Sequence, residues 1–147
     1  MKVVERSAIV SYTAAQMFSL VNDVASYPQF LPWCVRAKVQ EVSANEQVAS
    51  LNVARGVLRT EFTTRNRWTP ETEIVMNLVE GPFRNLTGHW RFEAIAERGS
   101  RVGFRVEFEF KNALTAAAFN AAFEAVCGGI VDAFVLRARK IYGQPTA

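Results

Sequence analysis

The sequence predicts an α+β fold in which a long C-terminal helix lies across an antiparallel sheet of about seven strands and closes an apolar cavity. Turn-forming residues divide segment 34–111 at intervals typical of strands. The last of these strands alternates between apolar and charged residues, and an apolar stripe at helical spacing follows it. The 147 residues, 11 of them Phe, are enough to bury one core, so we expect a single domain over 1–147.

The N-terminal segment predicts one strand and then two short helices. Residues 3–11 are rich in β-branched side chains, which favour a strand. Thr13 and Gln16 have the spacing of a capping box, so a helix begins after Thr13. Segment 27–34 (Tyr-Pro-Gln-Phe-Leu-Pro-Trp-Cys) contains two prolines and four large apolar residues. We expect it to be irregular, and either buried or at an opening.

The middle of the chain predicts six strands. Breaks fall at 43–45, 55–56, 69–71, 81–82 and 98–100. In the clearest strand, 101–110, the apolar and charged residues occupy opposite faces, which indicates an antiparallel sheet with one face in water. The apolar face of that strand consists of Val102, Phe104, Val106, Phe108 and Phe110.

The last helix is predicted over residues 113–141 with Asn112 as its N-cap. Its length, roughly 40 Å, is enough to cross the sheet. Gly128 and Gly129 lie in its middle and cost about 1 kcal/mol each relative to Ala. We therefore expect a close approach of backbone there, or a bend. The apolar stripe consists of Phe119, Phe123, Val126, Ile130 and Phe134.

The alternation places nearly all titratable side chains of the strands on the wet face, including the single histidine, His89. General acid–base catalysis then lacks an agent in the interior, and no nucleotide-binding or nucleophile motif is present. Cys34 and Cys127 stand apart from each other and from any His cluster, so no metal site is expected. The sequence predicts no catalytic residues and no enzyme activity. A net charge of +3 is too small to indicate a DNA-binding protein.

The interior is open to two interpretations. Thr60, Thr64 and Asn66 share the inward face of segment 58–68 with Leu58, Phe62 and Trp68. In a solid core these three polar groups hydrogen-bond locally. In a cavity they are satisfied by a ligand or by water.

The location of the protein is expected to be the cytoplasm. The first ten residues contain three charges and do not form a secretion signal. No apolar run is expected to reach the roughly 20 residues that a membrane span needs.

Several segments resemble the coenzyme Q-binding START-like family. They are 27–34, 80–93 (Glu-Gly-Pro-Phe-Arg-Asn-Leu-Thr-Gly-His-Trp-Arg-Phe-Glu), 104–110 and 141–143. The resemblance implies a helix-grip fold, in which a curved sheet grips the C-terminal helix around a hydrophobic tunnel. It also implies that the protein binds a ubiquinone-like isoprenoid and supports respiration as a carrier or chaperone, with no tightly bound cofactor. Transient contact with the inner membrane is expected.

Thirteen residues are implied as ligand contacts. The sheet provides Phe62, Trp68, Met76, Leu78, Trp90 and Phe92, and the helix provides Phe119, Phe123 and Ile130. Loop residues Phe30, Leu31, Trp33 and Phe83 form the mouth, unless those loops are merely anchored.

Two other functions stay open. Some bacterial members of the family are ribosome-association toxins that bind the large ribosomal subunit and inhibit translation. Their footprint here would be the outward Arg59, Arg65, Arg67, Arg91 and Arg105, although the interleaved Glu61, Glu93, Glu107 and Glu109 favour an ordinary solvated face. The third hypothesis, a cyclase or dehydrase, requires an inward acid or base.

Overall fold

The sheet has the seven antiparallel strands that the sequence predicts. A computed structural model describes residues 1–143; the last four residues of the predicted domain, 144–147, lie outside the described residues. Strands β2 to β7 follow one another as hairpins, and β1 pairs with β7, so the order is β1-β7-β6-β5-β4-β3-β2. The strands are β1 (Lys2–Val10), β2 (Cys34–Ser43), β3 (Glu46–Arg55), β4 (Leu58–Thr69), β5 (Glu73–Glu80), β6 (Phe83–Ala96) and β7 (Gly99–Phe110).

The helices begin where the caps predict. The Thr13 hydroxyl accepts the backbone N–H of Gln16 (3.1 Å) at the start of α1 (Ala14–Asn22). A 3₁₀ helix, Val24–Gln29, follows. The expectation that the whole of segment 27–34 is irregular was wrong for its first three residues, because a short 3₁₀ helix tolerates the missing N–H of Pro28.

The C-terminal helix is interrupted at its glycines. It consists of α2 (Ala113–Gly128) and α3 (Ile130–Tyr142), separated by Gly129. A Cβ on Gly128 would lie 3.3 Å from Nη2 of Arg6 on β1. The interruption and the close approach confirm what the two glycines predicted.

The combined helix, Ala113–Tyr142, is long and apolar enough to cross a membrane by length and composition alone. The expectation that no apolar run has this length was therefore wrong, because the stretch is rich in alanine and phenylalanine and poor in charge. In this fold its residues Phe123, Val126 and Phe134 are buried against the sheet. Its apolar character is thus partly that of a core helix.

The sheet curves around the helices, as the register shifts in β2, β4 and β6 allow. Its inner face carries the core, and the inward residues predicted for β4 and β7 are confirmed. Leu58, Val102 and Phe108 are fully buried there. The predicted outward residues Arg59, Arg101 and the other charged groups of these strands face solvent. One face of the sheet is therefore available for a cavity, and the other for contact with a partner.

Candidate functional site

A cavity of about 80 Å³ lies between the middle of the sheet, the 3₁₀ helix and the C-terminal helices. Two aromatic groups flank it. On one side Phe123 of α2 packs against Phe108, with ring centroids 4.7 Å apart. On the other side Trp90 of β6 packs against Phe104, with ring centroids 4.5 Å apart. Six of the predicted ligand contacts line the cavity: Trp33, Phe62, Met76, Trp90, Phe123 and Ile130.

The other seven predicted contacts do not line the cavity. Phe83 stacks on Phe110 at 4.6 Å, and Phe92 packs edge-on against Phe18 at 5.7 Å. The ring of Phe30 lies between Phe134 (5.3 Å) and the Arg137 guanidinium (4.7 Å). The remaining residues, Leu31, Trp68, Leu78 and Phe119, are fully or partly buried in the surrounding core. Alternation and helical spacing identify Trp68, Leu78, Phe92 and Phe119 as inward but not their position along the sheet. Phe30, Leu31 and Phe83 were expected at the mouth because of the family resemblance.

The predicted mouth needs a correction. Gly81 has φ +152°, and a Cβ there would lie 2.7 Å from Cβ of Phe62. The following Phe83 is fully buried, so this turn anchors the sheet and does not open the cavity. In the other loop Leu31 is also fully buried, whereas Trp33 reaches the cavity because its carbonyl accepts the N–H of Ala54 on β3 (2.9 Å).

The open side of the cavity lies toward β3, β4 and β5. The partly exposed residues of its wall are on these strands or next to them, whereas the wall residues of β6 and β7 are buried. At this side Gly88 makes room for Met76, whose methyl group lies 2.4 Å from where a Cβ on residue 88 would be. The partly exposed wall residues are Trp33, Leu51, Phe62 and Met76.

Several wall residues are absent from the predicted set. Phe104 and Val106 lie on the predicted inward face of β7, so the alternation could have found them. Tyr27 and Cys127 carry no such signal, because only the packing of the 3₁₀ helix and α2 brings them to the cavity.

The cavity wall is mostly apolar, and β4 contributes a pair of neutral polar side chains to it. The hydroxyl of Thr64 donates to Oδ1 of Asn66 (2.7 Å), and both residues are buried. This bond fixes the amide of Asn66. Its Nδ2 has no hydrogen-bond partner among residues 1–143, so it can donate to an oxygen inside the cavity. Thr60, the third polar residue predicted to face inward, does not line the cavity.

The titratable groups of the wall are neutral at ordinary pH. Burial raises the pKa of Cys127 to about 12 and moves the pKa of Tyr27 far above its ordinary value. The Tyr27 hydroxyl donates to the carbonyl of Val21. His89 lies on the outer face, 2.7 Å from the Glu73 carboxylate, as its position in β6 predicts. The wall thus offers packing and a few neutral hydrogen-bonding groups, but no group that exchanges protons near pH 7.

The charges of the outer face are solvated and of both signs, as expected, but they are not evenly distributed over it. On the outer face Arg36 and Lys38 of β2 lie opposite Asn52 and Ser50 of β3. Those two β3 residues lie opposite Glu61 and Thr63 of β4. On β2–β4 five cations accompany two carboxylates: Arg36, Lys38, Arg59, Arg65 and Arg67 against Glu46 and Glu61. On the remaining strands the outward carboxylates Glu5, Glu73, Glu80, Glu93, Glu107 and Glu109 outnumber the outward cations, which include Arg91, Arg101 and Arg105.

The chain is similar to a described family and to several curated proteins. The family model for polyketide cyclase/dehydrase and lipid transport matches residues 10–135. Ribosome association toxin RatA from Vibrio cholerae is 45% identical over 144 residues, covering 98% of this chain and 100% of that protein. RatA from Escherichia coli K12 is 41% identical over 139 residues, covering 95% and 88%. Coenzyme Q-binding protein COQ10 from Drosophila melanogaster is 26% identical over 145 residues, covering 96% and 60%.

Solved structures share the fold. The Zhui aromatase/cyclase from Streptomyces sp. R1128 superposes with a TM-score of 0.83 at 18% identity, and 95% of each chain is covered. A START superfamily protein from Mycobacterium smegmatis superposes with a TM-score of 0.76 at 16% identity, covering 95% of this chain and 98% of that one. At these identities the likeness concerns the fold, and it confirms the predicted helix-grip architecture.

Proposed function

Since the chain belongs to the polyketide cyclase/dehydrase and lipid transport family, we propose that it is a binding member of that family, which associates with the ribosome as a toxin and reduces translation. The observation that carries this proposal is the identity of 41–45%, over nearly the whole chain, to two proteins named as ribosome association toxins. The likeness to the coenzyme Q-binding relative is weaker, at 26%. The sequence favoured a quinone carrier as the main function; the relatives favour the alternative that it left open.

The size of the cavity also supports this order of hypotheses. Pockets that hold drug-sized ligands measure about 300–1,000 Å³, whereas this cavity measures about 80 Å³. A polyprenyl quinone would require the wall to move. Contact with a ribosome through the outer face requires no such movement, because the cations there are already exposed.

In the proposed activity the protein binds the large ribosomal subunit and hinders its association with the small subunit. A protein seated on the joining surface of one subunit competes directly with the other subunit, so no chemical step is needed. The proposal places the protein in the cytoplasm with the ribosomes.

Sedimentation tests the proposal. Purified protein is mixed with separated ribosomal subunits and centrifuged through a sucrose gradient at low and at high salt. We expect it to move with the large subunit at low salt and to reduce the amount of joined ribosomes when the small subunit is added. Phosphate-driven contact is strongest at low salt, so protein that stays at the top of a low-salt gradient contradicts the proposal. Induced expression in a bacterial host should also slow growth and amino-acid incorporation.

A second candidate function is the binding of a small quinone-like molecule in the cavity. The observation in its favour is the unpartnered amide of Asn66 in a mostly apolar wall, because a quinone carbonyl can accept its N–H. Met76 and Trp33, both partly exposed, are the wall residues that could move to enlarge the space. Loading of such a ligand would involve transient contact with a membrane, and the ligand would not be a tightly bound cofactor.

Fluorescence tests the second candidate. Trp33 and Trp90 line the cavity, so a bound short-tailed quinone should quench tryptophan emission with a saturable curve. Replacing Asn66 with Leu should weaken binding roughly tenfold, which is the loss of about one hydrogen bond. The matched control is Asn77→Leu, at an exposed position on β5. Quenching that never saturates, or that Asn66→Leu leaves unchanged, contradicts this candidate.

We propose no enzyme activity. The family description includes cyclases and dehydrases, but the cavity wall contains no carboxylate and no histidine. Its tyrosine and cysteine stay protonated because burial raises the pKa of both. Incubation with an aromatic polyketide precursor should therefore give no product above the uncatalysed rate.

A further inference from the structure

In the described part of the chain, the outer face of the β2–β4 half of the sheet brings three cations without ion-pair partners close together, whereas on the rest of that face Arg91 is unpaired but Arg101 and Arg105 have carboxylate partners. Arg36, Lys38 and Arg59 are exposed, and within residues 1–143 they form no ion pair. On the other half, Arg105 pairs with Glu5 (3.3 Å) and Glu107, and Arg101 lies 3.9 Å from Glu93.

The carboxylates of the β2–β4 half do little to cancel these charges. Glu46 is held by both Arg65 and Arg67, the latter with Nε at 2.6 Å, so this group of three retains a positive charge. Glu61 of β4 has no ion pair among residues 1–143, and neither has Glu80 of β5, which lies opposite Thr63 at the border of this area. The local field is therefore positive although the whole chain has a net charge of only +3.

The side chains between the cations are uncharged hydrogen-bonding groups. A shallow hollow of about 40 Å³ is formed by Arg36, Lys38, Ser50, Asn52 and Glu61. The hydroxyl of Ser50 lies 2.6 Å from that of Thr63 on β4. Hydroxyl and amide groups next to arginine and lysine suit phosphate and ribose oxygens.

We propose that this surface, the outer face of β2–β4 around Arg36, Lys38 and Arg59, binds the sugar–phosphate backbone of helical RNA. The inference rests on the proposed association with the ribosome and names the contacting surface and the chemistry of its partner. No aromatic side chain points outward from β2, β3 or β4, so the surface lacks the rings on which unpaired bases usually stack. Backbone contacts to a double helix are therefore the mode of RNA recognition that this surface fits best.

The geometry of the strands fits such a contact. Arg36 and Lys38 are two residues apart on one strand, which places their Cα atoms about 7 Å from each other. Arg59 lies on β4, two strand spacings across the sheet and two residues along it from Arg36, which places their Cα atoms about 12 Å apart. The three charges therefore form a small two-dimensional array on an exposed surface, and this array can meet several phosphates at once.

The test uses the full chain and two probes, a 16-base-pair RNA duplex and purified large ribosomal subunits. Three neutralised phosphates imply that binding to the duplex weakens roughly 40-fold between 50 and 200 mM salt. The triple variant Arg36→Ala, Lys38→Ala, Arg59→Ala should bind both probes at least tenfold more weakly. It should also lose most of the salt dependence, since the slope of log binding constant against log salt concentration falls by about one for each cation removed.

Two further variants make the test specific. Arg91→Ala removes an exposed and unpaired arginine from the other half of the same face and should change nothing. Glu61→Gln removes the unpaired carboxylate of the hollow and should strengthen binding severalfold. Because all these side chains are exposed on the sheet, thermal unfolding of each variant should match that of the unmodified protein.

The outcomes separate the two proposals. If the unmodified protein binds large subunits and the triple variant binds them equally well, this inference is wrong and the proposed function stands. If the unmodified protein binds no subunits but binds the duplex through the three cations, the proposed function is wrong and the surface is still an RNA-binding one. Equal or tighter binding to vesicles containing anionic phospholipid, through the same three residues, would overturn the assignment to RNA.

Discussion

The two faces of the sheet are made by the same strands, yet they depend on different physical interactions. On β6 the inward Trp90 is fully buried and contacts rings from β7 and α3, whereas its neighbour Arg91 is exposed and forms no ion pair among residues 1–143. The inner face therefore contributes most of the stability of the fold, because it removes large apolar surfaces from water. The outer face contributes little stability and is free to vary its charge.

The largest expected effect comes from the inner side. Phe134 of α3 is fully buried, and its ring lies 5.3–5.4 Å from the rings of Phe30, Tyr27 and Trp90. Phe134→Ala should lower the free energy of unfolding by about 3–5 kcal/mol, because it leaves a cavity in the aromatic core. Urea unfolding followed by far-UV circular dichroism measures this.

The matched control for Phe134 lies on the same helix. Leu136 points away from the sheet and is 62% exposed. Leu136→Ala should change the free energy of unfolding by less than about 0.5 kcal/mol. Similar decreases in unfolding free energy for Phe134→Ala and Leu136→Ala would contradict the contrast between the inner and outer sides.

A second effect is the pH dependence that a buried thiol on the inner side gives to the unfolding free energy. Burial raises the pKa of the Cys127 thiol from 9.0 to about 12, with Glu124 adding to the shift. A pKa raised in the folded state contributes stability that is complete below pH 9 and is lost as the pH rises toward 12. Cys127→Ala should therefore reduce the alkaline slope of unfolding free energy against pH by up to about 1.4 kcal/mol per pH unit.

The control for Cys127 is the other thiol. The pKa of Cys34 is raised to about 11, again chiefly by burial, so Cys34→Ala should flatten the slope over a narrower range, between about pH 9 and 11. Urea unfolding at pH 8, 9, 10 and 11 compares the three proteins. If the unfolding free energy of all three proteins falls with pH at the same slope, the thiols do not contribute to alkaline unfolding.

The smallest effect belongs to the outer face. The hydrogen bond from Arg67 lowers the pKa of Glu46 below 4.5; burial opposes this shift and the bond from Arg65 adds to it. A lowered pKa contributes stability above the ordinary pKa that is lost as the pH falls through the lowered value. Glu46→Gln should thus be slightly less stable than the unmodified protein at pH 7.

The difference caused by Glu46→Gln should disappear as the pH falls below about 4. Urea midpoints at pH 7 and pH 3 measure it. Glu61→Gln, on the same face but without an ion pair among residues 1–143, is the control and should show no such dependence. A difference for Glu46→Gln that grows toward acid would contradict the role of its two arginines.

Much of this architecture could be predicted because it depends on short-range patterns. The caps at Thr13 and Asn112, the breaks between strands and the inward set on β4 all follow from residues within a few positions of one another. The interruption at Gly129 followed from two glycines in an apolar helix. The cavity interpretation rested on Thr60, Thr64 and Asn66, and the last two lie in the cavity wall whereas Thr60 does not.

The tertiary structure decided which inward residues meet at the cavity and which outward cations meet on one half of the sheet. Strand alternation assigns Phe92 and Phe62 alike to the inner face, but only the packing of α1 and α2 shows that Phe92 is a core residue and Phe62 a wall residue. In the same way, alternation places Arg36 and Arg59 outward without making them neighbours. The physical reason is that periodicity is a property of one segment, whereas depth and adjacency depend on register and on packing between segments that are distant in the chain.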